Sequence, residues 1–187
     1  MSKKAYIFLA TGFEEIEAVS VIDVLRRAGV GIVAVAIPEE PDECWVEGAH
    51  GISMFGDNVF EETDFSDGDM LILPGGQPGT NNLNAHKKLK KLIQTYYFQK
   101  KHIAAICAAP SILGEMGLLN GKRAVCYPGY ENHLIGAEIA ENERVVVADN
   151  IITSKGPGTA IEFALKLVEI LAGQEMAEKL RNGMIVK

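Results

Sequence analysis

Apolar and polar positions alternate along the chain in blocks that predict strands and helices in turn. Short continuous apolar runs predict buried strands, and apolar residues spaced three and four apart predict amphipathic helices. Strands are predicted at residues 5–10, 31–37, 44–46, 52–55, 70–73, 103–106, 122–126, 144–148 and 150–153. Helices are predicted at residues 14–28, 84–100, 160–171 and 175–181 and from residue 108 onward, with a turn of proline and acidic residues at 38–43.

This alternation predicts an α/β fold with a mostly parallel sheet between two layers of helices, because parallel strands buried on both faces are continuously apolar. The 187 residues contain no linker, repeat or low-complexity segment, so a single domain over residues 1–187 is expected. Ligands of such sheets bind where loops converge at the carboxyl ends of strands. Residues 11–17, residues 74–79 and the turn at Cys107 follow predicted strands and are therefore expected to meet.

Composition and charge narrow the function classes. The chain is 48% hydrophobic and 23% charged, which is typical of a folded globular protein. Its net charge of -7, with no compensating basic cluster, argues against nucleic acid as a specific partner. No apolar run approaches the ~20 residues of a membrane span, and no signal peptide is recognisable. Three separated cysteines favour a reducing cytoplasm, and no cysteine or histidine spacing indicates a metal site.

Cys107 lies between a predicted strand and a predicted helix. The strand ends at Ile106, and Pro110 falls in the first helical turn, where its missing N–H costs nothing. This placement predicts the sharp turn of a nucleophile elbow, with cysteine in place of serine. The unpaired N–H groups at the helix start should favour a thiolate. The alternative interpretation is a small buried hydrophobic residue.

Other residues at the same edge of the sheet could assist a reactive thiol. Glu17 lies one turn inside the first predicted helix, and a buried carboxyl beside a thiolate would hold a proton and act as a general acid or base. Gly75 and Gly76 offer backbone N–H groups that no side chain obstructs. Gly76 and Ala108 could together form an oxyanion hole.

Neighbouring polar residues allow simpler interpretations. Glu14 and Glu15 open the first predicted helix, where carboxylates are favourable and are usually solvated. Tyr127 could belong to the wall of the site or to the core. The four histidines are expected to be surface or structural residues and not catalytic bases.

Five segments together resemble the ThiJ/PfpI superfamily. Within it they are most similar to the DJ-one branch, named for a Parkinson disease protein, and to its bacterial YajL-like relatives. The resemblance runs in order over nearly the whole chain. The segments are ATGFEEIE at 10–17, RRAG at 26–29, LPGG at 73–76, AICAAP at 105–110 and TSKGPGT at 153–159.

The resemblance implies a flavodoxin-like α/β sandwich that forms homodimers. The family's nucleophilic, oxidation-prone cysteine falls on Cys107, and its protonated glutamate partner falls on Glu17. Its backbone donors of the oxyanion type fall on Gly76 and Ala108. No metal or organic cofactor is implied.

The resemblance also implies a loop that closes over the site, which would place Pro157 and Gly158 in the site wall. Members of the family are credited with cofactor-free conversion of methylglyoxal or glyoxal to hydroxy acids, removal of early glycation adducts, chaperone activity and oxidative-stress sensing. We therefore expect a cytoplasmic glyoxalase or deglycase that acts on small reactive aldehydes or their glycated adducts. The alternative is a redox sensor or chaperone without turnover. The sequence does not separate these functions, because both need an activated thiolate.

Two positions depart from the patterns of the relatives. Tyr127 aligns with a histidine of the DJ-one branch, so proton transfer here would depend more on Glu17 or water. Ala108 follows the cysteine where the protease-like branch has histidine, so a cysteine peptidase is the weakest of the alternatives. The C-x-G-x-Q pattern of the glutaminase relatives is also absent around Cys107.

Overall fold

A seven-stranded sheet forms the centre of the computed structural model, which describes residues 3–40 and 44–187. Neighbouring strands are parallel throughout, except for one antiparallel hairpin at an edge, β10 and β11. In spatial order the strands are β10 (Val145–Ala148), β11 (Ile151–Ser154), β7 (His102–Ile106), β6 (Met70–Leu73), β1 (Lys4–Ala10), β2 (Gly31–Ile37) and β5 (Asn58–Val59).

Helices cover both faces of this sheet and enclose two apolar cores. Side chains of β1 enter the two cores alternately, Ile7 on one face and Phe8 on the other, because successive strand residues point to opposite faces. The predicted flavodoxin-like α/β sandwich is therefore confirmed. One face carries α1 (Glu15–Arg27), α5 (Ala160–Ala172) and α6 (Gln174–Gly183), and the other carries α2 (Gly79–Ala85), α3 (Lys87–Phe98) and α4 (Pro110–Glu115).

Short elements lie outside the central sheet. Two two-stranded ribbons are present, an antiparallel one of β3 (Trp45–Glu47) with β4 (Ser53–Phe55) and a parallel one of β8 (Arg123–Ala124) with β9 (Glu138–Ile139). Single 3-10 turns occur at Phe60–Glu62, Glu131–His133 and Pro157–Thr159. Within residues 3–40 and 44–187, no helix has both the length and the apolar character needed to cross a bilayer.

Some predicted elements differ from the structure. The helix predicted at 84–100 is confirmed as α3, but it begins only at Lys87, because His86 has an extended backbone and its Nδ1 caps α3 by accepting the Leu89 N–H. Residues 84 and 85 belong instead to the separate helix α2. The strand predicted at 122–126 is reduced to β8, which pairs outside the main sheet. The second arm of the predicted hairpin is confirmed as β11. The turn predicted at 38–43 lies partly outside the described residues, because 41–43 are not among them.

Candidate active site

Cys107 connects β7 to α4 through a sharp turn. Its φ is +66°, a left-handed conformation that residues with a side chain rarely adopt and that surrounding structure must hold in place. Its N–H donates to the carbonyl of Ser154 at 3.0 Å, and its carbonyl accepts the N–H of Tyr127 at 2.8 Å. Pro110 begins α4 immediately afterwards. Cys107 is 8% exposed, so the residue is buried where β7 ends, at the carboxyl edge of the sheet.

Glu17 lies beside this thiol although it comes from another element, α1. The residue is fully buried, and its Oε2 accepts the N–H of Gly75 at 2.7 Å. Among the described residues its Oε1 has no hydrogen-bond partner. A Cβ added at Gly75 would lie 2.9 Å from Glu17 Oε2 and 3.0 Å from Cys107 Sγ. The carboxyl and the thiol therefore pack against the same Cα atom, and a side chain at position 75 would separate them.

The loops after β1 and β6 hold each other in place. The N–H of Glu14 donates to the carbonyl of Gly75 at 3.0 Å, and the Glu14 carboxylate caps α1 by accepting the N–H of Glu17 at 2.7 Å. Gly76 has a φ of +89°, and a Cβ added there would lie 2.4 Å from the carbonyl oxygen of Gly12. The two glycines thus allow a close backbone approach that fixes Glu17 beside Cys107.

Burial is the main influence on both titrating groups. It raises the pKa of Glu17 from 4.5 to about 7, although the Gly75 N–H and the thiol oppose this rise. Burial, followed by the charge of an ionised Glu17, raises the pKa of Cys107, while the N–H groups of Gly76 and Ala108 lower it. The N–H groups at the helix start therefore act in the expected direction, but burial and the Glu17 charge outweigh them and raise the pKa of Cys107 overall. Protonation of Glu17 removes the carboxylate charge from beside the sulfur and so lowers the pKa of Cys107.

The wall of the site differs in detail from the sequence expectation. Tyr127 is 46% exposed, and a Cβ added at Gly156 would lie 3.0 Å from its ring and 4.0 Å from Cys107 Sγ. Pro157 and Gly158 come next in the chain and line a neighbouring cavity of about 550 Å³ between α1 and α5. Gly156, which the sequence singled out only as part of the 153–159 segment, thus lies close to both the thiol and the Tyr127 ring.

Two acidic residues expected in solvent are instead buried. Glu14 and Glu15 are 6% and 5% exposed. The Glu15 carboxylate binds the backbone N–H of His50 at 2.6 Å and its ring Nδ1 at 2.7 Å. One carboxylate oxygen each of Glu14 and Glu15 and one ring nitrogen of His50 lie within 4.8 Å of one another. The bond from the Glu17 N–H to Glu14 and the two bonds between Glu15 and His50 account for this clustering.

The other histidines also have roles away from the thiol. His86 caps α3, and His133 lies 3.0 Å from a Glu115 carboxylate oxygen. His102 begins β7, at the opposite end of the strand from Cys107. The structure thus brings together Cys107, Glu17 and the glycine loop, without a histidine hydrogen-bonded to the sulfur among the described residues.

Comparison with known proteins defines the class to which this fold and site belong. The chain is a member of the DJ-1/PfpI family, whose model matches residues 3–170. It is 37% identical over 187 residues to DJ-1 homolog B of Arabidopsis thaliana, covering 100% of this chain and 42% of that protein. The chain therefore spans less than half of the plant protein.

Other relatives are similar in length to this chain. Drosophila melanogaster dj-1beta is 36% identical over 188 residues, covering 100% of this chain and 98% of the fly protein. The crystal structure of Drosophila DJ-1beta matches with a TM-score of 0.94 and 34% identity over 100% of both chains. A Caenorhabditis elegans relative, 35% identical over 168 residues, is named glutathione-independent glyoxalase DJR-1.2, and the match covers 89% of this chain and 87% of that protein.

Proposed function

We propose that this protein is a cofactor-free glyoxalase that converts α-oxoaldehydes such as methylglyoxal and glyoxal to hydroxy acids. The observation that carries the proposal is the buried Glu17 carboxyl, whose pKa is raised to about 7 and which shares the Gly75 contact with the Cys107 thiol. A group with a pKa near neutrality is suited to both give and take a proton. The glyoxalase name of the nematode relative supports the same reaction.

The reaction begins with the proton of the pair on Glu17. The Cys107 thiolate adds to the aldehyde carbon of the substrate, forming a C–S bond, and the new alkoxide takes the proton of Glu17 to give a hemithioacetal. The N–H groups of Gly76 and Ala108 stabilise the developing oxygen charge. The Glu17 carboxylate then takes the proton from the former aldehyde carbon and returns it to the adjacent carbon, while the hydroxyl proton of the hemithioacetal passes to the oxygen of the neighbouring carbonyl.

This proton transfer oxidises the first carbon to a thioester and reduces the neighbouring carbonyl to an alcohol, so no external oxidant or reductant is needed. Water then attacks the thioester carbon, the C–S bond breaks, and the hydroxy acid leaves. The proton released by water restores the one-proton state of the Cys107–Glu17 pair. Early glycation adducts with a comparable hemithioacetal or hemiaminal carbon are proposed as further substrates.

The test is turnover of methylglyoxal by the wild type and by Cys107→Ser, with chiral analysis of the lactate formed. The proposal requires that Cys107→Ser loses essentially all turnover. Cys126→Ser is the matched control, because Cys126 is also buried and all three cysteines of the chain are free thiols. Lactate formation that persists in Cys107→Ser at the wild-type rate would refute the proposal.

A redox sensor without turnover is the second candidate. Cys107 retains slight exposure, and the N–H groups beside its sulfur could stabilise a sulfinate. Peroxide treatment followed by mass spectrometry would distinguish this function. Rapid conversion of Cys107 to sulfinate, together with no turnover of methylglyoxal, would support the sensor and exclude the glyoxalase.

We further propose that the protein acts as a homodimer in the cytoplasm. An exposed apolar patch on and around α1 supports the dimer, since isolated monomers rarely expose such groups together. Its members are Ile16 (57% exposed), Val19 (46%), Ile52 (59%) and Ile161 (40%). The free cysteines are consistent with a reducing compartment. Light scattering should give twice the chain mass for the wild type and the monomer mass for Val19→Glu, and a wild-type monomer would refute the dimer.

A further inference from the structure

Residues 156–158, called the closing segment below, close one side of the Cys107 thiol. A Cβ added at Gly156 would lie 4.0 Å from Cys107 Sγ, and since a C–C bond is about 1.5 Å long, the Cα of Gly156 lies within about 5.5 Å of the sulfur. A substrate atom between the two would need about 3.5–4.0 Å to each of them. No substrate group therefore fits between the sulfur and the backbone of Gly156.

The Thr159 hydroxyl holds the closing segment from the inside. Thr159 is 6% exposed, and its Oγ1 accepts the N–H of Gly156 at 3.1 Å and donates to the carbonyl oxygen of Gly156 at 2.8 Å. The N–H and the carbonyl of Gly156 are thus bound by the same side chain. Gly156 itself is buried, and a buried N–H that loses its partner is unfavourable. Gly156 therefore cannot move away from the sulfur without the loss of these bonds.

Further hydrogen bonds support Thr159 and the outer end of the closing segment. Ser154 Oγ lies 2.7 Å from Thr159 Oγ1 and donates to the carbonyl of Arg144 at 2.9 Å. The Arg144 guanidinium in turn donates to the carbonyl of Gly158 at 2.7 Å. The carbonyl of Ser154 accepts the N–H of Cys107 at 3.0 Å. One network thus connects both ends of the closing segment to the backbone of the reactive residue.

We propose that Thr159, with Arg144 as an outer support, is a positioning residue that limits the α-oxoaldehydes reaching Cys107 to small ones. The inference rests on the proposed glyoxalase function and extends it by naming the size class of the substrate and the residue that sets it. Thr159→Val conserves the shape of the side chain but leaves the Gly156 N–H without its partner. The N–H regains a partner when it turns to water, and this movement opens the side of the thiol that the closing segment covers.

Alkylation of Cys107 tests this restraint without any need for turnover. Iodoacetamide and N-phenyl iodoacetamide react with a thiol by the same chemistry and differ only by a phenyl ring, and mass spectrometry measures the rate of each at Cys107. We expect the rate for the phenyl reagent relative to the small one to rise about tenfold in Thr159→Val, which is the effect of one lost hydrogen bond. An unchanged ratio in Thr159→Val would overturn the proposal.

Two controls separate positioning by Thr159 from a general loosening of the structure. Thr159→Ser keeps the hydroxyl and should restore the wild-type ratio. Ser154→Ala removes a fully buried hydroxyl of the same network but leaves both bonds between Thr159 and Gly156, so its ratio should also equal that of the wild type. A ratio that rises as much in Ser154→Ala as in Thr159→Val would overturn the role of Thr159.

Turnover provides the second measurement. The ratio of kcat/KM for phenylglyoxal over that for methylglyoxal should rise about tenfold in Thr159→Val and stay at the wild-type value in Thr159→Ser. If the wild type turns over neither substrate, the glyoxalase fails, whereas the restraint at Thr159 is still decided by the alkylation ratio. If Thr159→Val does not fold, Arg144→Gln takes its place, because it releases the closing segment from the exposed side. A raised alkylation ratio in Arg144→Gln then supports the proposal, and an unchanged one overturns it.

Discussion

Replacing Glu17 by glutamine tests whether this carboxyl carries the proton of the pair. The amide has the shape of the carboxyl, and its oxygen can keep the 2.7 Å bond from the Gly75 N–H. Its NH₂ group can occupy the side of Oε1, which has no partner among the described residues. The substitution therefore removes the titration while preserving the packing. We expect turnover of methylglyoxal to fall by about 10²–10⁴-fold, the usual contribution of a general acid–base.

The same variant should show a pH-dependent gain in stability. The folded protein keeps the Glu17 proton up to about pH 7, whereas the unfolded chain releases it near pH 4.5. Between these values the folded state binds more protons, so the stability of the wild type falls as pH rises, and the loss is complete above about pH 7. A difference of about 2.5 pH units at about 1.4 kcal/mol each corresponds to about 3.5 kcal/mol, of which about 3 kcal/mol is lost between about pH 4.5 and about pH 8. Glu17→Gln should not show this loss as the pH rises, because the glutamine amide does not titrate.

Urea unfolding of both proteins between about pH 4.5 and about pH 8 measures the effect. The free energy of unfolding of Glu17→Gln relative to the wild type should rise by about 3 kcal/mol across this range. Glu175→Gln, a substitution at an exposed residue of α6, should follow the wild type. Parallel pH profiles for Glu17→Gln and the wild type would show that Glu17 has no raised pKa, and the proton-transfer mechanism would then lose its basis.

Three further substitutions probe the surroundings of the pair. Gly75→Ala places a Cβ 2.5 Å from the Cβ of Cys107, so it should abolish turnover and lower stability by about 1–3 kcal/mol in urea unfolding. Gly156→Ala meets the half-exposed ring of Tyr127, which can shift, so its stability should stay within about 0.5 kcal/mol of the wild type while KM rises for bulky α-oxoaldehydes. In the wild type, the Glu15 carboxylate raises the pKa of His50 above 6.5, and His50→Ala removes this partner. Because that pairing stabilises below the unfolded pKa and is lost as pH rises through the folded value, thermal unfolding should show a larger deficit at about pH 5.5 than at about pH 9.

The parts of the site that the sequence could predict depend on local signals. The turn at Cys107 follows from an apolar strand and from Pro110 shortly afterwards, and both features lie within a few residues of the thiol. The approach of Glu17 to Cys107 was predictable as a convergence of loops at strand ends. The reason lies in the sheet, where β1, β6 and β7 are consecutive neighbours with their carboxyl ends at one edge.

The parts that the sequence could not predict depend on contacts between distant segments. Glu15 is buried because His50 arrives from the β3–β4 loop, 35 residues away, and binds its carboxylate. The break at His86 follows from a side-chain cap, which overrides a helical pattern that continues on both sides. The upward shift in the pKa of Cys107 could not be predicted, because it depends on the burial of the thiol and on the position of Glu17, and neither is a local property of the sequence.

The geometry of the pair explains why a single proton governs its reactivity. The N–H groups of Gly76 and Ala108 lie beside the sulfur, and the Gly75 N–H binds the carboxylate, so a negative charge finds donors at either position. Two charges on the same Gly75 surface would repel each other in a buried setting, so at least one of the two groups keeps its proton at neutral pH. In the proposed mechanism the proton resides on the sulfur before the substrate binds and on Glu17 when the thiolate attacks. An approaching carbonyl carbon would favour the second form, because the charge on sulfur is then consumed by the C–S bond. The same donors would stabilise a sulfinate, so the two candidate functions differ in whether the aldehyde or the oxidant reaches the Cys107 sulfur first.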